Sequence, residues 1–404
     1  MQKYINFFHY EKTVNKKKKL IAVKEYFVIK EIIMADIDDN LFYKIALTQI
    51  EGVGPVLAKN LVSYCGGAKE VFEQKKLFLS KIPGVGKVLA DEIKKDSVFE
   101  NAGKIVEKIA KNGTGVLFYL DDGYPSRLKH LPDSPVILYY EGTGEYNNKR
   151  TLGVVGTRSA SRTGKLVCEQ IVSQLKDYNV TVISGLAFGI DSVAHRTAIK
   201  NGMPNIAVMG SGIDITYPGQ HEKLRREIVQ KGDVITEFPP GTAPDRGHFP
   251  MRNRIIAGLS DALLVVESDK RGGSMITAQI AFDYNKDVFA VPGRVTDRYS
   301  RGTNYLIKRN ISQLVESAED IALNMNWDKV NEKTYVQMQM FADITGDEQK
   351  IVDILRQSPQ DSLSIDELHY ASGFTMGELA AIVLNLELKG VIESLPGTRY
   401  SLAQ

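Results

Sequence analysis

Six short runs rich in valine and isoleucine punctuate the middle of the chain: LGVVG, VTVISG, NIAVMG, GDVITE, DALLVVE and DVFAVPG. Most end in glycine or an acid, and helix-like segments separate most of them. This alternation predicts an α/β fold, a Rossmann-like, doubly wound and mostly parallel sheet over residues 146–323. Ligands of such sheets sit at the carboxyl ends of the strands, so the polar residues just after each run are where function is sought.

The rhythm differs on either side. Residues 34–145 read as a helical domain with an internal echo, IEGVGPVLAKNLV at Ile50–Val62 and IPGVGKVLADEIK at Ile82–Lys94, 32 residues apart. Each copy has the form of a helix–hairpin–helix, and tandem copies suggest a SAM-like arrangement. Hairpin amides near a helix start can hold a phosphate, and the same turn can serve packing. Both readings stand. DDGYPSRLKHLPDSPVILYYEG (Asp121–Gly142) then reads as a proline-rich connector ending in a strand. A polar linker, 324–345, precedes residues 346–404, which read as three helices and two short strands around Pro396-Gly397, a winged helix.

Charge changes this picture in three places. The net charge of +2 over 404 residues hides +5 in residues 1–33 (8 Lys/Arg, 3 Asp/Glu) and −5 in residues 346–404 (4 against 9). Phosphate attraction supplies most sequence-independent DNA affinity, so the acidic winged helix reads as a protein-contact or packing module. The basic leader is too interrupted by charge to span a bilayer and is a poor signal peptide. Met34 reads as the start of the native chain, with a nucleic-acid-binding arm as the alternative. Between Arg246 and Arg309 lie 11 basic and 6 acidic residues, where a polyanion is most at home. Two cysteines without paired spacing, and histidines without a metal-binding pattern, predict a reducing, cytoplasmic setting and no metal site.

Candidate chemistry gathers at two strand ends. LGVVGTRSASRTGK (Leu152–Lys165) offers glycines, a helix start and Arg158 for gripping an anion, but it is neither a dinucleotide fingerprint nor a P-loop. A Ser184–His195–Asp191 triad lacks the nucleophile elbow, and capping and a core histidine explain those residues better. PPGTAPDRGHFPMRNRIIAGLS places Arg246, Arg252 and Arg254 at the strand-end rim, with a helix entered near Arg252. Phe249 precedes a proline and is expected to be extended. Cations along a groove and an exposed ring are ingredients of single-stranded nucleic-acid binding; caps and packing are the competing explanation.

Several motifs in order, GVVGTRSASRTG, SGLAFGIDSVAH, AVMGSGIDITYP, TEFPPGTAPDRGHFPMRNRIIAGLSDALLVVE, GGSMITAQIA and VFAVPG followed by GTNYLI, together resemble the DNA-processing protein A (DprA/Smf) family. The FP-x-RNRIIAGLS segment is the most specific of them. The resemblance implies a non-catalytic protein without a cofactor that binds single-stranded DNA in natural transformation. It implies protection of incoming strands, loading of a RecA-type recombinase, and a homodimer through the Rossmann-like domain. It places phosphates on Gly156, Thr157, Arg158 and Gly164, makes Arg246 the basic residue of the P-x-[KR]-x-x-FP segment, and inserts Phe249 among bases. Arg252 and Asn253 fall in the same motif, and Ser161, Lys270 and Arg271 extend the set. KRGGSM at Lys270–Met275 departs from the family's SGSL, adding cations that widen the basic surface or are merely solvated.

Two rivals remain. A phosphoribohydrolase-like Rossmann enzyme needs a carboxylate where this chain has Gln279. A duplex-binding regulator would have to read DNA with the acidic winged helix.

Overall fold

In a computed structural model, residues 39–329, 346–358, 362–389, 391–395 and 398–402 are described. The 1–33 leader, Met34, Pro396-Gly397 and all but the first residues of the linker lie outside them. The chain divides into two units, Met1–Asp328 and Lys329–Gln404.

The first unit is built on one nine-stranded sheet. Its strands are β1 (Gly115–Phe118), β2 (Ile137–Gly142), β3 (Thr151–Val155), β4 (Thr181–Ser184), β5 (Asn205–Val208), β6 (Asp233–Thr236), β7 (Ala262–Val265), β8 (Asp287–Ala290) and β9 (Gln313–Leu314). Their order is β1-β2-β6-β5-β4-β3-β7-β8-β9. All six apolar runs became strands, β3 to β8, and every pairing from β6 through β9 is parallel. Side chains of β3 and β7 alternate between two cores. Leu152, Val154, Ala262 and Leu264 face one, packed by helices Arg162–Gln174 and Ile190–Lys200; Val155, Leu263 and Val265 face the other, packed by His248–Leu259 and Gly273–Asp283. A strand buried on both faces has no use for polar alternation, which is why these runs are continuously apolar.

β2 is the strand read at the end of the connector, and β1 is a further strand from the segment read as helical. β1 pairs with β2, and β2 with β6, both antiparallel, so residues 115–142 belong to the sheet. Short edge strands carry too little periodicity to announce themselves, as with the two-residue β9. At the start of the linker, Trp327 packs against the sheet's core and the Asp328 carbonyl accepts from Arg150 Nη1 at 2.6 Å.

The tandem hairpins pack on each other. Gly52 and Gly84 hold equivalent positive φ angles of 79° and 85°. A leucine methyl of the opposite copy faces each of them, Leu89 against Gly52 and Leu57 against Gly84. Apolar side chains of the hairpins, including Leu61 and Val85, share one core with Ile137, Tyr139 and Val234 of the sheet. The positive φ of each turn accounts for the glycines.

The second unit has helices Gly346–Gln357, Ile365–Ser372 and Met376–Leu388, and a small sheet of β10 (Leu363–Ser364), β12 (Arg399–Leu402) and β11 (Ile392–Leu395). Ser364 and Thr375 each close a capping box that starts a helix. Ile351, Leu368, Leu379 and Leu386 form its own core.

Candidate nucleic-acid interface

Successive strands step outward from β3 to β6, then the chain returns to β7 on the other side of β3. The loops after β3 and β7 thus lead to helices on opposite faces and part to leave a crevice between them. A cleft of about 430 Å³ opens there. Its lining includes Gly156, Thr157, Arg158, Asp191, Phe249, Arg252, Asn253, Arg271, Ser274, Arg298 and Tyr299.

Arg158 is exposed, and its guanidinium lies 4.8 Å from the centroid of the Phe249 ring. Tyr217 approaches the same ring, centroid to centroid at 5.7 Å. Phe249 is in the first turn of His248–Leu259, not extended. Pro250 in that turn gives up an amide that has no helical partner anyway, so the helix overrides the bias imposed on the residue before proline. The helix accordingly begins four residues before Arg252. Arg246 is exposed on the turn that leads into it and is not part of the cleft lining.

Arg252 does not stand at the rim. It is 4% exposed and donates through Nη1 to the Val208 carbonyl at 2.7 Å. A Cβ at Gly185 would come within 1.8 Å of Nη1, so the guanidinium needs the space that glycine leaves. Burial lowers the Arg252 pKa to about 10, opposed by Asp191. Burial raises the Asp191 carboxyl, opposed chiefly by Arg252 and then by the Ala187 amide. The pair forms a buried floor. Arg254 is also off the rim: it pairs with Glu237 and donates to the Asp133 carbonyl. A helix turns successive residues by about 100°, so Arg252 and Arg254 cannot share the direction of one groove.

The loop after β3 is arranged differently from the sequence reading. Thr157 donates its amide to the Glu267 carbonyl at 2.8 Å, and Gly156 has no room for a Cβ against Ile190. Ser161 caps the Arg162–Gln174 helix, and its Oγ accepts from Gly164 N at 2.9 Å. The Glu267 carboxylate then accepts from the Ser161 amide and hydroxyl at 2.9 and 2.5 Å. This helix start is occupied by the protein's own carboxylate. Gly164 serves that contact, because a Cβ there would sit 2.2 Å from Glu267 Cδ. The cation this loop leaves exposed is the Arg158 side chain.

Across the cleft, Arg271 is exposed and lines it, whereas Lys270 extends toward the Tyr305 ring at 5.9 Å and does not. Arg298 and Tyr299 were missed by sequence reasoning. They follow β8, the position the strand-end rule marks, but an isolated arginine in a long loop carries no local signal. Arg298 pairs with Asp269 at 2.7 Å. Four arginines thus face two aspartates in the lining, and Arg252 and Arg298 already answer the two acids. Arg158 and Arg271 are the cations left at the mouth.

The triad does not assemble. Ser184 donates its hydroxyl to the Val154 carbonyl at 2.6 Å, and fully buried His195 meets Asn205 Oδ1 at 3.0 Å. Burial lowers the His195 pKa to about 4. Gln279 is exposed, donates to Asp283 at 2.9 Å, and is not part of the cleft lining. No helix among the described residues is long and apolar enough to cross a membrane.

Comparison with known proteins agrees with this fold. Residues 115–326 match the family model for DNA recombination-mediator protein A, 342–398 the DprA winged helix domain, and 44–96 a SAM-like helix-hairpin-helix tandem. The chain is 29% identical to Protein Smf of Synechocystis over 89% of its own length and 98% of that protein. It is 33% identical to Protein Smf of Escherichia coli K12 over 68% and 74%. The X-ray structure of DNA processing protein A from Streptococcus pneumoniae superposes with a TM-score of 0.59 at 31% identity, covering 72% of this chain and 99% of that one. The hairpin tandem, the doubly wound sheet with its FPMRNRIIAGLS helix and the winged helix are thus those of the DNA-processing protein A (DprA/Smf) family, and the chain belongs to it.

Proposed function

We propose that the cleft between β3 and β7 binds single-stranded DNA, with Arg158 and Arg271 on the phosphates and Phe249 against a base. The observation that carries this reading is the Arg158 guanidinium over the Phe249 ring at the mouth of a cleft whose lining has more cations than acids. A duplex keeps its base faces stacked and out of reach; a single strand can offer one to the ring while its phosphates track the arginines. Asp191 and Arg252 position this surface from beneath, and Arg246 adds charge at its approach.

Family membership supports a role in DNA processing during natural transformation. We extend the proposal to protection of the incoming strand, loading of a RecA-type recombinase, and a homodimer through the sheet domain in a reducing cytoplasm. The position where a phosphoribohydrolase motif needs a carboxylate is here Gln279, which is exposed outside the cleft.

The test is a titration of the protein with fluorescent single-stranded and duplex oligonucleotides of one sequence at two salt concentrations. The expected result is preference for the single strand, weakening with salt and lost in Arg158→Ala/Arg246→Ala. Equal binding that survives the double variant refutes the assignment.

A further inference from the structure

The winged-helix unit carries a feature that a DNA-reading role does not explain. In the Met376–Leu388 helix, Leu379, Val383 and Leu386 are buried in the unit's core. At about 100° per residue the opposite side is centred on Gly377, Ala381, Leu384 and Leu388. These positions are spaced four, three and four residues apart, the repeat of a coiled-coil seam. All four are exposed, Leu384 at 55% and Leu388 at 77%. The helix therefore has two apolar faces and needs only one for its own fold.

The charges around the stripe are of one sign. Glu378 and Glu387 flank it on opposite sides, and both are exposed. Lys389, the basic residue at the helix end, is turned back to Glu348 at 2.7 Å. Among the unit's other cations, Arg399 donates to the Ser362 carbonyl at 2.6 Å and Lys350 lies 5.0 Å from the Phe374 ring centroid. A major-groove reader presents arginine, lysine, asparagine or glutamine to base edges and cations to phosphate. Between its two carboxylates this face presents leucine, alanine and glycine, with a single asparagine, Asn385, at the margin beside Glu378.

We propose that the Met376–Leu388 face is a docking surface for an amphipathic helix of a partner protein, with a heptad-spaced apolar seam flanked by lysine or arginine. Gly377 and Ala381 let the partner backbone approach closely at one end, and Leu384 and Leu388 supply the anchoring knobs at the other. Glu378 and Glu387 select basic flanks and repel acidic ones, as flanking charges do in coiled coils. A second copy of the same face is disfavoured, because it would bring like charges together.

The full chain is titrated by fluorescence anisotropy with three synthetic peptides of about three heptads each. One has leucine at the seam and lysine and arginine at the flanks, one has the same seam with glutamate flanks, and one has basic flanks with the leucines scrambled. The first should bind, and the other two should bind at least roughly tenfold more weakly, a gap of about 1.4 kcal/mol. Leu384→Glu/Leu388→Glu should lose the first peptide by a similar factor although it adds negative charge, with unchanged thermal melting. Ala381→Arg gives a second reading that leaves the leucines in place. Equal binding of the three peptides, or full binding by both variants, overturns the proposal. So does a loss of duplex-DNA binding in the variants with peptide binding intact, which would make the face a DNA reader. A fall in the parent's sedimentation mass caused by the variants would make the occupant a second copy, and overturns it equally.

Discussion

Replacing Arg252 by methionine separates a floor residue from a DNA contact. The guanidinium is nearly inaccessible, donates to the Val208 carbonyl and is the principal counter-charge of the buried Asp191. Methionine fills much of the same volume, so the loss is electrostatic. Removing the principal counter-charge leaves the buried carboxylate uncompensated and costs at most about 3–5 kcal/mol, the value for a buried pair in contact. For a domain of this size that lowers the melting temperature by at most roughly 6–20 °C, at about 2–4 °C per kcal/mol. Arg252→Met/Asp191→Asn removes both charges and should recover most of the loss. The pH dependence has a definite sign. Asp191 already has a folded-state pKa above its unfolded value, and losing Arg252 raises it further. The deficit of the single variant should be largest at neutral pH and shrink as acid protonates Asp191. Differential scanning fluorimetry of the parent, both single variants and the double variant across pH measures all of this. A melting temperature unchanged in Arg252→Met, or losses that simply add in the double variant, would refute the floor assignment and return Arg252 to the groove surface.

Other consequences are as specific. Arg158→Ala should flatten the salt dependence of single-strand binding, by about 0.7 in the log–log slope for each phosphate that is no longer neutralised; an unchanged slope refutes the phosphate assignment. Phe249→Ala should cost about 1–3 kcal/mol of single-strand affinity if its ring stacks on a base, and a loss seen only in thermal stability would make Phe249 a packing residue. Gly164→Ala should push Glu267 from the helix start and cost at least the value of the Ser161 cap, about 1 kcal/mol, read by chemical denaturation; no change would show that the loop relaxes. His195 is held neutral with a folded pKa of about 4, below an unfolded value of about 6.5. Its contribution is present above the unfolded pKa and is lost as pH falls from about 6.5 toward 4. His195→Gln should show a shallower loss of stability over that window, and parallel curves would contradict the burial argument.

Features with a local cause were legible in the chain before any fold was known. Continuous Val/Ile runs separated by helix-like segments specify strands buried on both faces, and β3 to β8 formed where they were read. The echoed I-x-G-V-G-x-V-L-A specifies two equal turns, and the Gly52 and Gly84 backbones match to within a few degrees. FPMRNRIIAGLS was legible as the chemical centre because so many polar residues rarely stand beside a core helix. Which of those residues face the cleft was settled by their neighbours in space. Arg252 went to the floor because Gly185 and Asp191, on another strand end and another helix, make room and charge for it. Arg254 went to Glu237, and Glu267 took the helix start that the sequence offered to a phosphate. Arg298 and Tyr299 joined from beyond β8, and β1 joined the sheet edge from the segment read as helical. Each of these depends on what lies opposite in space, and pairings between distant segments leave no periodicity in the chain that makes them.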